Sequence, residues 1–196
     1  MFTLYAKLTA VLICLFGLIG CATAPTSTQI QPTITTDNST ITFSNRPWSI
    51  SSQDERIERH LIEIENGDDM AQLINEKQSL RLAIEKSLTT AWLNNKLNIE
   101  QMSNDRLEIK LVKSLATVTE STFGYEVSSE MQIKIKLSHQ GNSFTKLFTE
   151  SKQWDKGFSV NIEDITEHLD SQLSSLLTRI VEDQELNNEL QNLNNL

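Results

Sequence analysis

Cysteine is scarce in this 196-residue chain, which contains only Cys14 and Cys21. Cys14 falls inside an apolar run near the N-terminus, and Cys21 directly follows that run. The remaining sequence therefore has no thiol for an internal disulfide, a thiolate metal site or a cysteine nucleophile. We expect the fold to be held together by packing alone.

Glycine is also sparse, with 6 residues spread along the chain and none clustered as a phosphate-binding loop requires. The Gly-x-Ser-x-Gly elbow of serine hydrolases and the His-Glu-x-x-His motif of zinc proteases are both absent. The three histidines, His60, His139 and His168, stand far apart in sequence. We predict a protein that is not an enzyme and that has no cofactor and no metal site.

Positive charge is in deficit. The chain has 17 Lys and Arg against 26 Asp and Glu, a formal net charge of −9. A phosphate-rich ligand would be repelled on average by such a surface. We therefore expect no nucleic acid partner.

The N-terminus carries the most specific pattern in the sequence. Lys7 precedes an apolar run over residues 8–19, and Gly20-Cys21 closes it as a bacterial lipobox does. The run is too short for a membrane-spanning helix, which needs about 20 apolar residues. We predict a lipoprotein signal peptide over residues 1–20, cleavage between Gly20 and Cys21, and lipidation of Cys21 by diacylglycerol and an N-acyl chain such as palmitate.

The predicted subcellular location follows from the lipid and from the second residue of the mature protein. Two or more acyl chains give a stable anchor, so the membrane is a predicted partner. Ala22 is not the aspartate that retains many lipoproteins in the inner membrane of enterobacteria. We expect the protein on the periplasmic face of the outer membrane.

Composition divides the mature chain into three parts. Residues 21–45 are rich in Thr, Ser, Gln and Pro, which is typical of a polar tether, although alternation around Pro32 allows an edge strand over 28–35. Residues 46–183 carry the helix and strand periodicities, and we predict that they form one periplasmic domain. Residues 184–196 are rich in Asn and Gln without packing signals, and we expect a flexible tail.

The periodic segments predict an α+β fold. Apolar residues alternate at strand period over 48–50, 60–65, 107–117, 125–137 and 143–151, and follow one helical face over 76–94 and 162–181. Asn161 resembles an N-cap for the second helix, and Trp92 lies on the apolar face of the first. We predict a two-layer domain, order (β)β-α-β-β-β-α, in which two amphipathic helices cover one face of an antiparallel meander sheet.

The order of several short motifs resembles the YajG family of bacterial lipoproteins. They are the segment Cys21-Ala22-Thr23-Ala24-Pro25-Thr26, Pro32-Thr33-Ile34-Thr35, Asp54 with Arg56, Leu80-Arg81, Ala116-Thr117-Val118 and Tyr125. The chain departs from the family pattern around Trp48 and in its Asn-rich end. The resemblance implies an outer-membrane lipoprotein with a periplasmic α+β domain and supplies no catalytic residues.

Three residues stand out as candidate contacts for a partner. Asp54 and Arg56 follow a predicted strand and can clamp a ligand, or they can form a structural ion pair in a loop. Trp154 lies in a predicted loop, where an exposed indole suits an interface but packing is an equal alternative.

Asp68 with Asp69 lacks the spacing of a calcium loop, and His60 beside Glu58 is read as an ordinary strand side chain.

Two functional hypotheses follow. The first is a non-enzymatic accessory or assembly factor that binds another envelope component, protein or glycan, through the outer sheet face, the Asp54–Arg56 segment or the Trp154 region. The second is a lipid- or glycolipid-binding module whose helices and sheet part to hold acyl chains, which requires an apolar pocket of at least ~300 Å³. A cell-wall hydrolase is a distant third because no catalytic set can be named.

Overall fold

The computed structural model describes residues 25–35, 43, 46–65, 67, 69–121, 124–157 and 159–192. The predicted signal peptide, Gly20 and Cys21 lie outside the described residues. Within them the chain forms eight strands and three helices. The strands are β1 (Ser27–Thr28), β2 (Pro47–Asp54), β3 (His60–Glu65), β4 (Gln72–Glu76), β5 (Asn98–Ile99), β6 (Arg106–Ser121), β7 (Gly124–His139) and β8 (Asn142–Lys156). The helices are α1 (Leu80–Asn94), α2 (Ile162–Glu182) and α3 (Gln184–Asn192).

The three longest strands form the predicted meander. β6 pairs antiparallel with β7, and β7 pairs antiparallel with β8. The turn between β7 and β8 places Gln140 and Gly141 at positive φ of 46° and 87°, as a tight hairpin requires. The α+β class is thus confirmed, and these three strands form an antiparallel meander as predicted.

The other half of the sheet differs from the predicted antiparallel arrangement. β2 and β3 lie end to end along the free edge of β6 and both run parallel to it, with Ser49 opposite Arg106 and Ile62 opposite Ala116. β3 and β4 form an antiparallel pair, and β1 and β5 add two-residue parallel pairings at the edges. The sheet is mixed because a strand's alternation fixes which face is buried but not which neighbour it pairs with.

The first helix begins later than predicted. Residues 72–76 form β4, which has only Ile74 buried and so carries no alternating apolar signal. Ser79 then caps α1 by accepting the Leu82 N–H, and the helix buries Leu80, Ile84, Leu88 and Trp92. The core position predicted for Trp92 is confirmed, since its side chain is fully buried.

The second helix begins at the predicted cap. The Asn161 side chain accepts the N–H of Glu163 at 3.0 Å, and Glu163 and Asp164 occupy the first turn, where the helix dipole favours acidic residues. α2 contacts both β8 and α1, so the two helices and the sheet enclose one apolar core.

The two faces of the sheet have opposite character. Alternate residues of β7, from Tyr125 to His139, are buried against the helices, while the residues between them line an open face. Lysine and glutamate pair across the open face, as between Lys113 and Glu130 at 2.6 Å. The pairing is typical of a solvated antiparallel surface.

The predicted tether differs from the structure over residues 25–35, which we name the N-terminal strap. Only Ser27–Thr28 is a strand, so the edge strand predicted over 28–35 is wrong beyond that point. The strap packs on the helices instead, with Ile30 only 5% exposed and Pro32 buried. Pro32 is tolerated because its missing N–H falls in a segment without strand pairing.

The predicted flexible tail is wrong for residues 184–192, which form α3. Leu186 and Leu190 are buried, and Asp183 caps the helix by accepting the Leu186 N–H at 2.8 Å. The two leucines repeat four positions apart in an otherwise polar segment, so the apolar stripe is too narrow to predict packing from sequence.

Candidate functional site

The predicted contact pair Asp54 and Arg56 belongs to a buried ion cluster. Arg56 donates from Nε to Asp54 Oδ1 at 3.0 Å and from Nη2 to Asp54 Oδ2 at 2.8 Å. The same Nη2 lies 2.9 Å from Glu76 Oε2, which also accepts the Leu80 N–H at 3.2 Å. The cluster therefore joins the end of β2, the end of β4 and the first residue of α1.

Burial assigns this cluster a structural role. The Arg56 side chain is only 1% exposed, so no partner can reach it, although its Nη1 has no hydrogen-bond partner among the described residues. Its hydrogen bonds lower the pKa of Asp54 below the usual value for aspartate. Arg59, 69% exposed and 3.4 Å from the same carboxylate, is the accessible cation here.

Trp154 does not lie in the predicted loop, because β8 continues through it to Lys156. It stands opposite Val127 in the sheet, and its indole lies 4.9 Å from the His168 ring of α2. The indole is half-buried against the core, and its Nε1 has no acceptor among the described residues. Of the two alternatives for this residue, the structure favours packing.

Sequence reasoning missed a second buried polar cluster at the start of β6. Asp105 Oδ1 lies 2.5 Å from His139 Nδ1, and Asp105 Oδ2 lies 3.1 Å from Arg46 Nε. The Asp105 carbonyl also accepts the N–H of Ser49 at 2.8 Å. The cluster fastens the beginning of β2 to the β6–β7 pair. One feature of the sequence could have indicated this cluster. The alternating residues of β7 that are buried are mostly apolar, and the last of them is His139, which needs a polar partner.

The N-terminal strap is bound on both sides by helix side chains. The Gln31 N–H donates to Asp170 Oδ1 of α2 at 2.8 Å, and the Thr33 N–H donates to Ser174 Oγ at 3.0 Å. From α1, Ser87 Oγ donates to the Pro32 carbonyl at 3.1 Å. Burial under the strap raises the pKa of Asp170. The strap thus binds to both helices and bridges them.

A groove runs between the strap and the outer face of α1, with a volume of about 880 Å³. Its apolar lining comes from both sides and consists of Ile30, Pro32, Ile34, Leu82, Ala83 and Ala91. Leu82 is 51% exposed, so part of its side chain is accessible in the groove. The sequence indicates this groove only weakly. Leu82 is a large apolar residue that lies outside the buried apolar face of α1.

The described residues meet neither the requirements of a metal site nor those of a membrane-spanning helix. They contain no group of three or more His, Cys, Asp or Glu side chains placed to hold a metal ion. No helix in the same part of the chain is long and apolar enough to cross a membrane. The groove between the strap and α1, which we name the strap groove, combines a volume of about 880 Å³ with aliphatic side chains on both sides.

Known proteins show similarity over nearly the whole chain. A family model described as "uncharacterized lipoprotein" matches residues 32–191. The uncharacterized lipoprotein YajG of Escherichia coli K12 is 23% identical over 92% of this chain and 94% of its own length. The same protein from Escherichia coli O6:H1 matches with the same identity and coverage.

Among solved structures, the fold is similar to that of protein XCC0632 from Xanthomonas campestris, of the family DUF330. The TM-score is 0.61 at 12% identity, and the match covers 84% of this chain and 97% of that chain. At this identity the similarity concerns the fold alone.

Proposed function

This chain belongs to the uncharacterized lipoprotein family, and on that premise we propose that it is a lipid-anchored, non-enzymatic accessory factor of the bacterial cell envelope. Cys21 carries the lipid after cleavage behind Gly20. Ala22 directs the protein to the outer membrane, where the domain occupies the periplasmic side. The lipobox pattern and the family support the anchor, and the scarcity of catalytic motifs in the sequence supports a binding role.

The strap groove is the surface that we propose for binding, and a protein segment with apolar side chains is the partner that fits it. The groove is concave, and six of its fourteen lining residues are aliphatic and lie on both sides of it. The other lining residues are polar and can pair with the main-chain groups of such a segment. Among the described residues that line the groove, Lys86 is the only charged one. The observation that carries this proposal is the concave shape of the groove together with its aliphatic lining from both the strap and α1, which includes the 51% exposed Leu82.

The test is site-specific photo-crosslinking in intact cells that produce the full-length protein. A benzophenone amino acid replaces Leu82 at the groove or, as a matched control, Leu147 on the open sheet face. These leucines are 51% and 49% exposed, so the two probes differ in location and not in access. We expect a discrete adduct from position 82 whose cross-linked peptide maps to one segment of an envelope protein, and none from position 147.

A groove-filling variant sharpens this test. Ala83→Phe places a ring among the lining residues, and it should abolish the position 82 adduct without releasing the protein from membranes. An adduct at position 147 alone, or a position 82 adduct that persists in Ala83→Phe, would contradict binding in the groove.

A lipid- or glycolipid-binding module is a second candidate function, favoured by one observation. The groove volume of about 880 Å³ exceeds the ~300 Å³ expected of a small-molecule site. Acyl chains would lie along the strap and not between helices and sheet, because the residues of that interface are closely packed. Lipid mass spectrometry of the Cys21→Ala form distinguishes the candidates, since only the carrier retains a stoichiometric lipid after the anchor is removed.

A further inference from the structure

We infer that the end of the sheet at the β3–β4 turn rests on the lipid surface that holds the Cys21 acyl chains. This inference rests on the lipid anchor of the proposed function and adds to it the orientation of the domain. The partner surface is the headgroup layer of a bilayer. The groove plays no part in the inference.

The strap is bonded to the sheet from its second residue onward. The Thr26 carbonyl accepts the Asn75 N–H at 2.9 Å, and the Thr28 carbonyl accepts the Lys77 N–H at 2.7 Å. These bonds make the strap a parallel neighbour of β4. The chain is therefore fixed to the sheet from Thr26 onward, and residues 25–35 cannot act as a flexible spacer.

A short length of chain joins the lipidation site to the strap. Four peptide steps separate Cys21 from Pro25. A fully extended chain spans at most about 3.6 Å per residue, so the lipidated cysteine lies within about 14 Å of Pro25. The membrane surface that holds the acyl chains of Cys21 is therefore close to Pro25, where the strap begins.

The strap enters the fold at the end of the sheet where β4 begins. The Pro25 carbonyl accepts a hydrogen bond from Gln72 Nε2 at 3.5 Å, and Gln72 is the first residue of β4. Gln72 pairs with Ile64, which in turn lies beside Val118 near the end of β6. The opposite end of the sheet, where β6 begins, lies roughly 40 Å away at 3.3 Å per strand residue.

The surface chemistry of the near end suits a lipid headgroup layer. Met70, in the β3–β4 turn, is 95% exposed, and Leu73, the second residue of β4, is 44% exposed. Exposed acidic residues also lie at this end, including Glu65, Asp69 and Glu120. Carboxylates are repelled by anionic lipids, so this end fits a surface dominated by zwitterionic phospholipid.

The experiment uses the lipidated full-length protein, purified from membranes and reconstituted into vesicles of phosphatidylethanolamine and phosphatidylglycerol in a three-to-one ratio. Met70→Cys supplies a single reactive thiol for a fluorophore, because no other unmodified cysteine remains after processing. Met102→Cys is the matched control, since Met102 is 94% exposed and lies near the start of β6. A spin-labelled lipid headgroup serves as the quencher.

We expect several-fold greater quenching at position 70 than at position 102. Inserting a twenty-residue Gly-Ser linker between Ala24 and Pro25 should reduce quenching at position 70 to the control level, because such a linker spans about 25 Å on average. Equal quenching at the two positions in protein that floats with vesicles overturns the orientation while the anchor stands. Protein that does not float overturns the anchor and the orientation together.

Discussion

The two sides of the central sheet use charged residues in different ways. On the open side, Lys113 and Glu130 form an ion pair in which both side chains are about one-third exposed. On the side that the helices cover, Arg56 is 1% exposed and is paired with two carboxylates at once. An exposed pair contributes little to stability because water and salt screen it, whereas a buried charge without its partner is costly. The same interaction is therefore nearly dispensable on one side and essential on the other.

The largest expected difference is between adjacent residues of β7 that point to opposite sides. Ile133 is fully buried and Lys134 lies on the open face. Ile133→Ala should lower the free energy of unfolding by about 2–5 kcal/mol because it leaves a cavity. Lys134→Ala should change it by less than about 0.5 kcal/mol. Urea unfolding of the two variants measures this, and equal losses would remove the distinction between the faces.

The next prediction compares two arginines that approach the same carboxylate. Arg56→Met should cost about 3 kcal/mol, since it leaves Asp54 and Glu76 without their buried cation. Arg59→Met removes an ion pair to Asp54 whose cation is 69% exposed, and should cost less than about 0.5 kcal/mol. Chemical denaturation of both variants is the measurement. Similar losses would show that burial does not determine the contribution of these pairs.

A neutral buried pair should have a smaller effect. Ser129 Oγ donates to Gln172 Oε1 at 2.6 Å, linking β7 to α2. Ser129→Ala leaves that oxygen without this donor and should cost about 1–3 kcal/mol. The double variant Ser129→Ala with Gln172→Leu removes both polar groups of this bond and also the Gln172 Nε2 donor to the Glu150 carbonyl at 2.9 Å. It should therefore lose less stability than the sum of the two single variants. A double variant as unstable as the sum of the single variants would indicate that the hydrogen bond is not the cause.

The smallest expected effect is a dependence on pH. The hydrogen bonds from Arg56 lower the pKa of Asp54 from its ordinary value of 3.8. A lowered pKa in the folded state means that the ionised carboxylate stabilises the fold above pH 3.8, and that this contribution is lost as pH falls through the folded-state pKa. Asp54→Asn should therefore be less stable than the native chain at neutral pH, with the difference shrinking below about pH 4.

A control for the pH experiment uses the Arg56→Met background. Without the guanidinium, the pKa of Asp54 has lost its main cause of lowering, and Asp54→Asn should have little pH-dependent effect. The urea midpoint across an acidic pH series measures both comparisons. A pH dependence that is unchanged in the Arg56→Met background would assign it to another carboxylate.

Local patterns predicted the elements that depend on neighbours in sequence. The alternation of β6, β7 and β8, the cap at Asn161 and the apolar stripe that buries Trp92 are all visible in one sequence. The sequence marks Arg56 and Trp154 as candidate contacts, but their sequence context does not show whether they are buried. Exposure depends on what packs over a residue, and in both cases that neighbour comes from a distant segment.

The α+β class, the three long strands and the two long helices follow from strand and helix periodicities, which are properties of the chain alone. The parallel course of β2 and β3 along β6, the packing of the strap on the helices and the packing of α3 depend on contacts between distant segments. A short polar segment has weak local preferences. Segments such as the strap and residues 184–192 take their conformation from the surface that receives them, and that surface exists only after the core has formed.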